Sequence, residues 1–274
     1  MKIVSDRQSI GRSFHRYAGE YDRYASIQKR VISRLALIVK SQLSDEPESV
    51  LDIGCGTGFL LSALRQCYPH AALIGLDLAL NMIIRSRERL GAAATLVQAD
   101  AESLPFRSCS LDLIVSTSTL QWLAELDTFL KECYRVMNSD SLLCIAFFGG
   151  TTLWELRESY REAVDRCTSR SDRLMNRLHT FKDKLEIQQA LDRSAFETVL
   201  LTGETECEYH SDLSELLRSI KNIGAGSHNK GGGGLGWRKI LTETSNLYRE
   251  RFQSNGAIPA TYEVFYVVAR KRGG

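Results

Sequence analysis

Three carboxylates in the first half of the chain, Asp52, Asp77 and Asp100, stand where short apolar runs give way to loops. The runs are Ser49-Val-Leu-Asp-Ile, Ala72-Leu-Ile-Gly-Leu-Asp77 and Thr95-Leu-Val-Gln-Ala-Asp100, each the length of a buried strand. Asp52 also opens Asp52-Ile-Gly-Cys-Gly-Thr-Gly58, where glycines alternate singly at 54, 56 and 58. Glycines are needed there because the main chain must take positive φ and come close to a ligand. Dinucleotide-binding loops carry an extra residue, as Gly-x-Gly-x-x-Gly, so this spacing argues against a pyrophosphate. A carboxylate can accept two charge-assisted hydrogen bonds, the number that a diol offers. Acids that merely cap helices would account for any one of the three. They do not account for an acid at three successive strand ends.

These residues need a frame to hold them. Phe14, Tyr17, Tyr21 and Tyr24 recur at helical spacing within residues 1–24, which predicts a first helix. A second runs from about Ser26 to Leu43, with Ile27, Val31, Leu35 and Ile38 on one face. From residue 49 strands alternate with helices: strands near 49–53, 72–77, 95–100, 110–116 and 141–148, with helices near 58–68, 79–90 and 126–137. Such alternation calls for βαβ units and a parallel sheet. After Gly150 the rhythm breaks, and residues 152–193 read as helical and highly charged. Strands at 197–209 and 261–271, with helices at 213–222 and 237–252, complete the chain. The expected fold is α/β: a doubly wound, mostly parallel seven-stranded sheet with N-terminal helices and a helical insertion after strand five. It forms one domain over 1–274, with a helical cap at 1–45 and an insertion or lid at 151–195. No internal repeat is visible.

Composition narrows the classes. At 274 residues, 43% hydrophobic and 25% charged, the chain is ordinary globular material. A net charge of +2 is too near zero for bulk nucleic-acid binding. The seven cysteines form no Cys-x-x-Cys pair or Cys/His cluster, so no metal is expected. Cys133 and Cys144 sit in apolar surroundings as small core residues. The odd, scattered set points to a reducing cytoplasm. The start, Met-Lys-Ile-Val-Ser-Asp, has no signal-peptide apolar region, and no run reaches the ~18 apolar residues of a membrane helix. None of the five histidines pairs with a nucleophile.

Asp-x-Gly-x-Gly-x-Gly resembles motif I of the class I S-adenosylmethionine-dependent methyltransferases. The resemblance implies that Asp52 helps to hold the cofactor's ammonium, through water or backbone. Asp77 would accept the ribose hydroxyls, Met82 pack on adenine, and Asp100 accept from the adenine amino group. Tyr21, Gly54, Cys55, Gly56, Leu78, Ala101, Glu102 and Ser116 complete the implied cofactor set. The fourth strand ends in Ser116-Thr-Ser-Thr-Leu-Gln-Trp122, and this edge faces the transferred methyl in the superfamily.

Five further segments narrow the resemblance: Phe14-His-Arg-Tyr-Ala-Gly-Glu-Tyr21-Asp22, Leu120-Gln-Trp122, Glu132-Cys-Tyr-Arg-Val136, Ser219-Ile-Lys-Asn-Ile-Gly-Ala225 and Thr261-Tyr-Glu-Val-Phe-Tyr266. Together they resemble the malonyl-acyl carrier protein O-methyltransferases of biotin synthesis, over essentially the whole chain. Met137-Asn-Ser-Asp-Ser141 stands where the superfamily usually has a Pro-Gly-Gly turn. The resemblance implies methylation of the free carboxylate of a malonyl thioester. Tyr21 and Gln121 would be the catalytic positions, with Gln121, Trp122 and Lys221 on the substrate. The acidic carrier would dock on Arg166, Arg170, Arg173 and Arg177, spaced for one helix face although acids interleave them. Gly231-Gly-Gly-Gly234 reads as a flexible tether. Rival readings are an aconitate-type or quinone-ring methyltransferase, a non-catalytic cofactor-binding protein and, least favoured by the glycine spacing, a dehydrogenase.

Overall fold

In a computed structural model describing residues 7–168, 179–225 and 235–272, the apolar runs form one seven-stranded sheet. Its strands are β1 (Ser49–Ile53), β2 (Ala72–Asp77), β3 (Ala94–Gln98), β4 (Leu111–Thr117), β5 (Met137–Phe148), β6 (Phe196–His210) and β7 (Ile258–Lys271). The order is β3-β2-β1-β4-β5-β7-β6. β1 to β5 pair in parallel, and β7 is antiparallel to both β5 and β6. Strand order reverses between β1 and β4, so their carboxyl ends open the crevice where ligands bind in doubly wound sheets.

Among the described residues the α-helices are α1 (Arg7–Tyr17), α2 (Tyr21–Tyr24), α3 (Ser26–Gln42), α4 (Phe59–Cys67), α5 (Leu80–Leu90), α6 (Leu126–Val136), α7 (Trp154–Cys167), α8 (Lys184–Arg193), α9 (Leu213–Asn222) and α10 (Leu235–Phe252). Side chains alternate between the faces of a strand, and both faces are covered here. Val50, Leu113, Val115 and Cys144 pack towards α3 and α4. Leu51, Ile114, Leu143 and Ile145 point the other way, into a cluster with Phe129 and Cys133 of α6 and Ile187 of α8. Cys133 and Cys144 are fully buried, as their apolar neighbours predict. Lys271 is nearly buried at the end of β7, and its Nζ donates to the carbonyls of Tyr134 (2.8 Å) and Met137 (2.7 Å). A cation thereby satisfies carbonyls at the end of α6.

Boundaries differ from the sequence expectation at several points: β3 ends at Gln98, so Asp100 lies two residues beyond the strand instead of at its end, and β7 begins at Ile258. The first helical stretch is two helices, broken at Ala18–Glu20, where Glu20 N–H bonds the Tyr17 carbonyl at 3.0 Å. Among the described residues of the charged stretch after Gly150 are α7 and α8, with residues 179–183 non-helical ahead of α8. The segment Met137–Ser141, expected as a turn before the fifth strand, belongs to β5. Asp140 takes φ +62° there, and β4 and β5 slip register between Leu111 and Leu113. Asn138 Nδ2 donates to Asp112 Oδ1 at 2.7 Å while Ser49 N and Oγ donate to Oδ2, tying three strand starts together.

Candidate active site

The register of β1 on β2 pairs Asp52 with Gly75 and Ile53 with Leu76, so the glycine loop leaves β1 beside Asp77. The Leu76 carbonyl accepts from both Gly54 N–H (2.7 Å) and Cys55 N–H (2.9 Å), which forces the sharp turn. Gly54 has φ +73°, and a Cβ there would lie 2.0 Å from Thr119 Oγ1. Gly54 is therefore required by Thr119, whose hydroxyl bonds the Ile53 (3.3 Å) and Thr117 (3.1 Å) carbonyls. Gly56, at φ +52°, has nothing within 4 Å of where a Cβ would stand. It lines an open cleft of about 760 Å³ at the carboxyl edge of the sheet.

Asp77 lies in this cleft. Its Oδ2 accepts from Gly56 N–H at 3.0 Å and its Oδ1 from Ala79 N–H at 2.8 Å. Burial pushes its carboxyl up to about 6, against those backbone bonds, which favour the ionised form. A carboxylate offers about four lone-pair sites, so these bonds leave Asp77 with acceptor capacity to spare. Asp52 lies beneath, 1% exposed, with Oδ1 buried and without a hydrogen-bond partner. Burial, with the nearby Asp77 charge, pushes Asp52 up to about 8. An orphaned carboxyl oxygen of this kind calls for a donor or a cation. Asp100, Ala101 and Glu102 line the cleft beyond β3. Asp100 Oδ1 accepts from Glu102 N–H at 2.9 Å, and Glu102 Oε1 accepts from Glu125 N–H at 2.7 Å. Leu78 and Met82 complete that wall, Met82 packing with Ala18 and Ala79 against Phe14 and Tyr21.

Tyr21 reaches the cleft from α2, and its phenol is driven far above its usual pKa by burial and then by Asp77 and Asp22. It stays a neutral hydroxyl. Its neighbour Asp22 fixes it there: Thr57 Oγ1 donates to Asp22 Oδ1 at 2.7 Å, and Arg89 Nη2 to Oδ2 at 2.6 Å. Arg89 also donates to the Thr57 carbonyl and lies 3.7 Å over the Phe59 ring. Lys29 Nζ donates to the Asp22 carbonyl at 2.6 Å. The glycine loop, α5 and the N-terminal helices are thus clamped around one carboxylate, a role the sequence does not announce.

At the other end Trp122 lines the cleft, 5.5 Å from the Phe14 ring and 4.6 Å from His179. His179 meets the Phe181 ring edge-to-face at 4.8 Å, and its carbonyl accepts from Arg157 Nη2 at 2.8 Å. Burial, aided by Lys182 and Arg157, holds the imidazole down to about 4, so it is neutral at pH 7, with Nε2 buried and unbonded. Sequence spacing gave His179 no partner, and only the tertiary fold sets it beside Trp122.

Other expected positions lie off the cleft wall. Ser116 is fully buried and its Oγ donates to the Ile53 carbonyl at 2.6 Å, joining β4 to β1. Cys55 is buried, with its N–H committed to the turn. Gln121 is 8% exposed; its Nε2 donates to the Ser118 carbonyl at 2.8 Å and its buried Oε1 has no partner. Lys221 is exposed near the end of α9, three residues before Gly224, which packs on Phe14. Arg166 Nη1 pairs with Glu243 at 2.8 Å and its Nη2 with Glu162, so it joins α7 to α10. Arg170, Arg173, Arg177 and the loop 231–234 lie outside the described residues. Among the described residues no cluster of three or more His, Cys, Asp or Glu can hold a metal, and no helix is long and apolar enough to cross a membrane.

The profile of the family described as "Methyltransferase domain" matches residues 51–145, from β1 through most of β5. A protein of Geobacter sulfurreducens named malonyl-[acyl-carrier protein] O-methyltransferase is 41% identical over 269 residues, covering 97% of this chain and 99% of its own. The chain belongs to the malonyl-[acyl-carrier protein] O-methyltransferase family. The bifunctional biotin biosynthesis protein BioHC of Cellvibrio japonicus is 32% identical, covering 97% of this chain and 50% of its own. The fold is shared with the plantazolicin methyltransferase BpumL, solved with S-adenosylhomocysteine, at TM-score 0.55 and 15% identity, covering 99% and 98% of the two chains.

A malonyl-[acyl-carrier protein] O-methyltransferase of this fold uses S-adenosylmethionine, and the cleft suits it. Asp52 has an unpartnered oxygen for a cationic neighbourhood, and Asp77 has lone pairs left for a diol. Met82 adds an apolar side chain to the cleft wall, which Asp100 also lines.

Proposed function

We propose that this enzyme methylates the free carboxylate of a malonyl thioester borne by an acyl carrier protein, giving the methyl ester in the pimeloyl branch of biotin synthesis, in the cytoplasm. The observation that carries this reading is the end-to-end likeness to the Geobacter protein. When bound, S-adenosylmethionine supplies an electrophilic methyl group on a sulfonium. A malonyl carboxylate is already ionised at neutral pH, so no side chain need act as a base. The residues' task is to align the anion and strip it of water. Asp77 accepts from the ribose diol, and Asp52 neutralises the ammonium. Tyr21, held as a neutral hydroxyl, orients the reacting end. Phe14 and Trp122 make the dry wall, backed by His179 and Phe181 of the 151–195 segment, which acts as a lid. Gln121 stiffens the Ser118–Trp122 turn through its bond to Ser118. Lys221 steers the phosphate of the carrier's prosthetic arm.

The test is methyl transfer from labelled S-adenosylmethionine to malonyl-carrier protein, malonyl-coenzyme A and trans-aconitate, side by side. Methyl ester on the malonyl thioesters, absent when acetyl replaces malonyl, is the expected result. Label on aconitate alone, or on none, refutes the assignment.

A further inference from the structure

A carboxylate brought into this cleft meets no cationic side chain there: among the described residues that line it are no Lys, Arg or His. Neutral donors must therefore hold the anion. The three acids stand on the β1–β3 side, where the cofactor is proposed to lie, so the acceptor is left with the wall beyond β4, from Thr117 to Trp122. Hydroxyls on this stretch are not equivalent. Ser116 Oγ donates to the Ile53 carbonyl at 2.6 Å, and Thr119 Oγ1 bonds the carbonyls of Ile53 (3.3 Å) and Thr117 (3.1 Å), so both are spent on the main chain. Ser118 Oγ is buried and has no partner.

The backbone at Ser118 is unusual as well. Its φ of +55° is a left-handed conformation that an L-residue adopts at a cost and glycine adopts freely. Of the five non-glycine residues with positive φ among the described residues, Ser118 is the one that lines the cleft. Both of its main-chain groups are fixed in this shape. Its N–H donates to the Ala146 carbonyl at 2.8 Å, one residue beyond the Thr117–Ala146 pair of β4 and β5. Its carbonyl accepts from Gln121 Nε2 at 2.8 Å. The fold thus pins a strained serine from both sides and leaves its hydroxyl unused. Strain held in place by the surroundings, and a buried donor with nothing to bond, each mark a group kept for a ligand.

We propose that the Ser118 hydroxyl holds the substrate, donating to the malonyl carboxylate through the oxygen that does not attack. This rests on the malonyl substrate proposed above. A hydrogen bond to an ionised group is stronger than one between neutral partners. A neutral donor also aligns the anion without cancelling the charge on the attacking oxygen, as a lysine or arginine would. Ser118 keeps its hydrogen throughout, because a carboxylate has no proton to lose. Gln121 is the positioning residue, holding Ser118 in its turn.

Ser118→Ala and Ser118→Gly are compared with the parent in the full-length enzyme. Alanine removes the hydroxyl alone, whereas glycine removes the hydroxyl and the backbone strain together. Both variants should lower kcat/KM by roughly 10-fold or more, on malonyl-carrier protein and malonyl-coenzyme A alike. The Kd for S-adenosylmethionine, read by calorimetry, should stay within about two-fold. Acetyl-coenzyme A has the thioester and no carboxylate, so its Ki as a competitor should also stay within about two-fold. Ser118→Gly should unfold at a urea concentration no lower than the parent's, which separates its lost activity from any loss of fold. Unchanged kcat/KM in both variants, while the parent methylates malonyl thioesters, overturns the Ser118 assignment and leaves the substrate reading standing. A Ki for acetyl-coenzyme A that rises in step with the loss overturns it too, since the hydroxyl would then act on the thioester. So does a matching loss of cofactor affinity. A parent that methylates neither malonyl thioester refutes both.

Discussion

Asp52→Asn separates the cost of the cofactor site from its benefit. Asp52 is buried, one of its oxygens lacks a partner, and its carboxyl is pushed up to about 8 from a usual 3.8. The folded, ligand-free protein therefore holds a proton that the unfolded chain releases. Such a group stabilises the fold at low pH and loses that contribution as pH rises from about 4 through 8. At pH 7 the unfolded carboxyl lies about three pH units below ambient, and each unit is worth about 1.4 kcal/mol. Keeping Asp52 protonated thus costs ~4 kcal/mol at pH 7 and little at pH 4. An asparagine carries no such proton, so the variant's stability advantage should grow with pH and level off above about 8. Asp77, pushed up to about 6, titrates in the same window but is common to both proteins. Urea unfolding of both at pH 5, 6, 7 and 8 without cofactor reads the difference directly. Calorimetry should show weaker S-adenosylmethionine binding by the variant. Close to one proton should leave per cofactor bound to the parent at pH 7, and none from Asp52→Asn. A stability difference that stays flat from pH 5 to 8, or a variant less stable at pH 7, would refute the reasoning.

Asp77→Ala should weaken S-adenosylmethionine binding by 100-fold or more, since it removes both the diol acceptor and the anchor of Gly56 N–H; near-normal affinity by calorimetry ends the ribose assignment. Tyr21→Phe should lower kcat at least 10-fold while the cofactor Kd moves less than three-fold, and a matching rise in Kd would make Tyr21 a packing residue. Asp22→Asn weakens both side-chain bonds of the α2 clamp. Because Asp22 and Arg89 are partly exposed, the loss is about 1 kcal/mol, seen as a roughly five-fold rise in cofactor Kd. In a double-mutant cycle with Arg89→Met the effects should be less than additive, whereas full additivity would show that the clamp does not act as a unit.

The sequence carried the parts of this fold that arise from local pattern. Unbroken apolar runs made β1, β4 and β5 legible, and the acids at or just after the ends of β1, β2 and β3 meet on one edge because parallel strands in register must bring their carboxyl ends together. What stayed illegible depends on contacts distant in the chain. Asp22 meets Thr57 and Arg89 across 35 and 67 residues, and no local pattern distinguishes it from a solvated acid beside a tyrosine. His179 sits in a loop without periodicity, so its stacking on Trp122 had no signal at all. Asn138 looked like a turn former because its cross-strand partner, Asp112, lies 26 residues away.

Gly54 shows a subtler limit. Its glycine was rightly expected to need positive φ, but the reason inferred was approach by a ligand. Here the crowding comes from Thr119, one turn beyond β4, while Gly56 faces the open cleft. The two glycines are equivalent in spacing and opposite in cause. A motif of this kind therefore records two constraints at once: one glycine closes the protein on itself, and the next leaves room for what binds. The same division runs through the acids. Asp77 is satisfied by its own backbone before any ligand arrives, whereas Asp52 is left buried and unpaired. Stability lost at Asp52 in the free protein is returned when a cation arrives, so part of the cofactor's affinity is stored in the fold as a protonated carboxyl.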